Sequence, residues 1–130
     1  MFGWNKQPAI RTLVGEGTVV HGELRFADGL RIDGQVQGDV IATSGRSLLV
    51  ISEQARITGK VKAGHVILSG SIAGPIVCDE LLEVQPTARI VGDVRYHLIE
   101  LHPGASIDGE LRPLKADEKP ALKLAASNIA

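Results

Sequence analysis

The 130-residue chain has almost no aromatic side chains: Phe2, Trp4, Phe26 and Tyr96 are all of them. Aromatic rings usually supply much of a core's buried area, so here Val, Ile, Leu and Ala must fill it. A single cysteine, Cys78, excludes an internal disulfide framework and fits a reducing compartment. Its simplest role is that of a small core-filling residue. No stretch approaches the roughly 18 apolar residues of a membrane span, and the N-terminus lacks the apolar region of a secretory signal. The expected location is therefore cytoplasmic. With 14 basic and 15 acidic side chains the formal net charge is -1. That balance lacks the basic surplus of a nucleic-acid binder, and no nucleic-acid partner is expected. No Gly-Lys-Ser/Thr phosphate loop occurs, and no cofactor is expected.

Glycine, in contrast, is abundant, with 15 residues, and hydrophobic residues make up 44% of the chain. The glycines sit in one recurring pattern: apolar, any, Gly, any, apolar. It occurs at 20–24, 32–36, 36–40, 57–61, 68–72, 72–76, 90–94 and 107–111. A longer frame surrounds several copies. Leu82-x-Val84-x-x-x-Ala88-x-Ile90-x-Gly92-x-Val94 matches Ile99-x-Leu101-x-x-x-Ala105-x-Ile107-x-Gly109-x-Leu111. The segments starting at Leu24 and Leu49 fit the same frame, although Leu30 stands in the alanine position of the first.

Within the frame apolar residues alternate with period two, the period of strands, and no helical stripe appears between residues 12 and 112. Gly, Asp, Ser and Pro cluster between the alternating runs, where tight bends are needed. A unit of about 17 residues with short strands describes a β-solenoid coil stacked about 4.8 Å from the next. Residues 13–112 would make about six coils and a rod near 30 Å long. The glycine shares the parity of its apolar neighbours. It either leaves space in a crowded interior or bends the chain at a corner.

This array resembles the bactofilins, bacterial cytoskeletal proteins, over the whole repeat region, and the N-terminal run Met1-Phe2-Gly3-Trp4-Asn5-Lys6 adds to the resemblance. The resemblance implies an all-β fold, a single right-handed parallel β-helix with three faces, flanked by disordered N- and C-terminal tails. Residues 1–12 and 113–130 are the expected tails. It further implies polymerisation without nucleotide into filaments joined at like ends, at the inner face of the cytoplasmic membrane. There such filaments scaffold cell-wall or cell-shape machinery. The expected partners are the chain itself, the membrane surface and cell-wall synthesis or remodelling proteins.

A physical argument points the same way. A solenoid end exposes unpaired backbone groups and an uncovered apolar layer. The chain shows no polar capping repeat. The expected assembly residues are Val14, Val20, Leu24 and Phe26 in the first coil and Leu98, Leu101, Ile107 and Leu111 in the last. Arginine at Leu101 or Phe26 should then shorten filaments without disturbing the β structure. Spacing alone leaves like-end and head-to-tail contacts equally open. Met1, Phe2, Trp4 and Lys6 are candidates for contact with anionic lipid; the alternative is that these aromatics fold onto the rod end.

The main rival is a hexapeptide-type left-handed β-helix, a trimeric acyltransferase or carbonic-anhydrase-like enzyme. Its repeat should run in unbroken sixes, and the glycine spacings do not. His21, His65, His97 and His102 lack metal-ligand spacing, and the acidic residues are spread along the rod. No catalytic, cofactor or metal site is expected, and the chain is read as a structural protein, not an enzyme.

Overall fold

The computed structural model describes residues 8–115. All its regular elements are strands. The odd-numbered ones are β1 (Ile10–Val14), β3 (Leu24–Ile32), β5 (Val40–Ile51), β7 (Val61–Leu68), β9 (Ile76–Val84), β11 (Val94–Leu101) and β13 (Leu111–Pro113). They form one seven-stranded parallel sheet in that order. Between them run the three-residue strands β2 (Val19–His21), β4 (Gln35–Gln37), β6 (Arg56–Thr58), β8 (Ser71–Ala73), β10 (Arg89–Val91) and β12 (Ser106–Asp108). These make a second, six-stranded sheet.

Each of the four odd strands β5, β7, β9 and β11 is interrupted in its pairing, for example between Tyr96 and Leu98, and so is β3, between Phe26 and Asp28. The interruption bends the strand, and Asp28 takes a left-handed φ of 65° at the bend. The coil therefore has three sides. Side one holds the short strands, side two the first halves of the long strands, and side three their second halves. Because β1 pairs only with the second half of β3 and β13 only with the first half of β11, every side carries six strands.

Val20 pairs with Val36, Val36 with Ile57, Ile57 with Ile72, Ile72 with Ile90, and Ile90 with Ile107. Successive coils thus take 16, 21, 15, 18 and 17 residues. The 21-residue coil carries its extra length as exposed Thr43–Arg46, inside β5. The 15-residue coil passes from Leu68 to Ser71 without the longer turn found elsewhere.

Period-two alternation becomes vertical columns of like side chains. Ile32, Ile51, Leu68 and Val84 stack on side three, and Val36, Ile57, Ile72 and Ile90 on side one, all essentially inaccessible. Each such residue contributes roughly 1.5–3 kcal/mol by burial, which explains how the chain holds together with few aromatic rings.

The two readings of glycine are resolved in favour of corners. Gly22, Gly38, Gly59, Gly74, Gly92 and Gly109 all have positive φ at the corner from side one to side two, and they stack over one another. At Gly59, with φ 148°, a Cβ would collide with the carbonyl of Gly38 in the neighbouring coil. The missing side chain thus lets two layers approach; it does not make room in the core. Gly59→Ala should therefore lower stability by about 2 kcal/mol or more through strain and collision. Gly45→Ala, where a Cβ meets nothing within 4 Å, should stay within about 0.5 kcal/mol. Paired chemical-denaturation curves check both.

Candidate functional site

The sides of the rod hold mostly solvated, locally paired groups. Arg25 Nε donates to Glu23 at 3.3 Å, Arg31 Nε to Asp33 at 3.0 Å and Lys62 Nζ to Asp79 at 3.2 Å. Of the four histidines, His65 pairs with Glu83 at 2.6 Å and His102 with Glu100 at 2.8 Å. His21 lies on β2 and His97 in β11, so the four do not converge. Among the described residues no group of three His, Cys, Asp or Glu is placed to hold a metal ion. Nor is any described helix long and apolar enough to cross a membrane.

One polar knot lies inside, at the bend between sides two and three. The buried Ser47 hydroxyl accepts the Gly64 N–H at 2.8 Å, and the Cys78 thiol donates to the Gly64 carbonyl at 3.1 Å. Burial pushes the Cys78 thiol up to about 12, so it stays protonated and unreactive at neutral pH. Its neighbours in the column are Ala63 and Tyr96.

The two ends differ from the sides. In the first coil Val14 stacks on Ile32, Val20 on Val36, Leu24 on Val40 and Phe26 on Ala42. All four point inward, and nothing described lies above the edge made by β1, β2 and Leu24–Phe26. Phe26 is nevertheless only 8% exposed, so it is a core residue as much as an end residue. Ile10 and Leu13 of the same coil are exposed.

In the last coil Leu101 continues the Ile32 column, Ile107 the Val36 column and Leu111 the Val40 column. Leu101 is 50% and Leu111 40% exposed, whereas their counterparts Val84 and Val94 are fully buried. Leu98 belongs elsewhere. It aligns with Leu81 and His65, one residue out of phase with the buried columns, and is 57% exposed on the outer face. Ile99 and Pro113, which complete the inner layer of this end, are marked by the same parity as Leu101 and Leu111, and Pro113 covers Tyr96 of the coil below. The lipid-contact candidates Met1, Phe2, Trp4 and Lys6 lie outside the described residues, as does the tail beyond Lys115.

Among the described residues, an apolar column runs the length of the rod and lies uncovered at both ends, which places the fold in the β-solenoid class. Residues 12–112 match the family model described as "Bactofilin: Polymer-forming cytoskeletal". The chain belongs to the bactofilin family. It is similar to Bactofilin BacO of Myxococcus xanthus, 27% identical over 100 residues, which cover 77% of each chain. It is also similar to Bactofilin BacP of the same organism, 30% identical over 100 residues, which cover 77% of this chain and 40% of that protein. No solved structure matches significantly.

The depth of Cys78 gives a direct check on the rod's integrity. A thiol reagent at pH 8 should leave Cys78 unmodified in the folded protein and modify it fully in denaturant. Modification of the native protein at pH 8 would contradict the buried position.

Proposed function

We propose that this bactofilin is a structural protein whose rods join end to end, without nucleotide, into filaments. The observation that carries the reading is the unfinished last layer: Leu101, Ile107 and Leu111 extend columns that are fully buried one coil earlier. Another copy supplies both the missing apolar contacts and the backbone partners that an open edge lacks. The family's description as polymer-forming and cytoskeletal supports it. The unequal coil lengths also favour this reading over the hexapeptide enzyme, whose regular sixes would repeat one length.

In this reading the filament lies along the inner face of the cytoplasmic membrane and scaffolds cell-wall or cell-shape proteins. Phe2 and Trp4 would partition into the lipid interface, with Lys6 drawn to anionic headgroups. A single tail binds weakly; a filament presents many, and avidity holds it.

Two experiments test the proposal. Leu101→Arg buries a charge wherever two ends meet but leaves a half-exposed site tolerable in the free rod. Electron microscopy should show filaments abolished, while the melting temperature changes little. Full-length filaments from this variant would sink the end-stacking mechanism. Phe26→Arg is the poorer probe, because Phe26 is buried in the rod itself. Separately, removal of residues 1–8 should release filaments from anionic liposomes in a sedimentation assay while leaving them assembled. Undiminished co-sedimentation would exclude the tail as the lipid contact.

A further inference from the structure

The outer faces of the three sides are not alike. On side one the outward positions are mostly polar, as where Gln35 pairs with Arg56 and Gln37 with Thr58. On side two the outward column runs Arg25, Ile41, Lys62, Val77, Arg95 and Arg112, with cations at four of its six positions. Side three is aliphatic. Leu48, Val50, Ile67, Leu81 and Leu98 are each one residue out of phase with the buried columns of Leu49 and Ile51, so they face outward. They make one strip, two columns wide, over the last four layers. Leu48 is buried, Val50, Ile67 and Leu81 are half-buried, and Leu98 is exposed.

The chain leaves the rod beside this strip. Leu114 N–H donates to the Tyr96 carbonyl at 2.7 Å, which puts Leu114 at the bend between sides two and three, over the interruption that precedes Leu98. A seventh layer on side three cannot follow. In register with Ile99 and Leu101, the repeat frame would turn Ala116 and Glu118 inward, and Glu118 would bring a charge into the aliphatic column. The chain must therefore leave the stack, and its next bulky apolar residues are Leu122, Leu124 and Ile129.

Length, charge and size all suit this segment to the strip. Residues 116–120 can span up to about 17 Å, enough to reach from the bend to the middle of side three. Beyond them Leu122, Ala125, Ala126 and Ile129 recur at the spacing of one helical face. Ten helical residues measure about 15 Å, and the three layer steps from Leu48 to Leu98 measure roughly 14 Å. Glu83 and Glu100 border the strip in the two layers nearest the exit. Each pairs with a histidine, His65 at 2.6 Å and His102 at 2.8 Å, and a carboxylate has acceptor sites to spare for a lysine. Lys119 and Lys123 flank the start of the apolar spacing. A strip about 10 Å wide is far smaller than the roughly 800 Å² per partner that a stable complex of free proteins buries. A tethered segment needs less, because its effective concentration is about millimolar.

We infer that residues 116–130 fold back along the outside of the rod and cover the aliphatic strip of side three. Leu122, Ala125, Ala126 and Ile129 face the strip, and Lys119 and Lys123 meet Glu100 and Glu83. This contact replaces the disordered C-terminal tail that the family resemblance implies. It also holds the segment clear of the open layer made by Leu101, Ile107 and Leu111, which the segment is otherwise long enough to cover. The inference goes beyond the end-to-end reading and does not depend on it.

The test uses the full chain and two readouts that need no filament. Leu122→Asp changes the segment and leaves the rod untouched. Hydrogen exchange of the amides of residues 121–130 should be about tenfold slower in the wild type than in this variant. Separately, Leu81→Cys should react with a thiol reagent about tenfold faster when residues 116–130 are removed; Cys78 is buried and does not compete. Equal exchange rates with and without Leu122→Asp would overturn the inference. So would a Leu81→Cys rate indifferent to removal of the segment, or a removal that uncovers Leu101→Cys and not Leu81→Cys, which would put the segment over the end. Protection of Leu81→Cys that grows with protein concentration would assign the strip to a second copy and overturn the inference as well. None of these results bears on whether the rods join end to end.

Discussion

No coil of this rod satisfies itself. Its backbone groups bond to the coils on either side, and its aliphatic side chains are covered only when the next layer is in place. Stability and shape both follow from that dependence, and the assembly proposed above rests on it. The closed columns from Ile32 to Val84 and from Val36 to Ile90 show the rule fulfilled; Leu101 and Leu111 show it interrupted. Lateral chemistry adds little, because the charged groups on the sides are mostly exposed and find partners within two residues or one coil.

Much of this was legible in the residues. Period-two alternation and the recurring glycine frame gave strands, coil count and the position of the core, because burial on one face of a strand imposes parity on the sequence. The repeat pattern also located the two end coils. What parity could not show was direction at the margins. Leu98 reads as an end residue from its place in the last coil, yet it is one step out of phase and faces the side. Phe26 reads as exposed at an end, yet packing against Ala42 encloses it.

The glycines were ambiguous for a physical reason. Their parity matches that of inward residues, so a strand-based reading points them at the core. The actual constraint is between layers: the chain turns at that corner with positive φ, and the carbonyl of the preceding coil lies where a Cβ would be. Contact between neighbouring coils, far apart in sequence, leaves no local signal in a single repeat. The 21- and 15-residue coils were hidden similarly, since one lengthened and one shortened coil nearly cancel in the average spacing.

The lengthened coil has its own consequence. Thr43–Arg46 stands out from β5, nearer the N-terminal end of the rod than the C-terminal end. In a filament joined through alternating like ends, these knuckles would not be evenly spaced; short and long intervals would alternate along its length. A protein that grips the knuckle would then read a two-beat ruler, and the filament could count positions without having a direction.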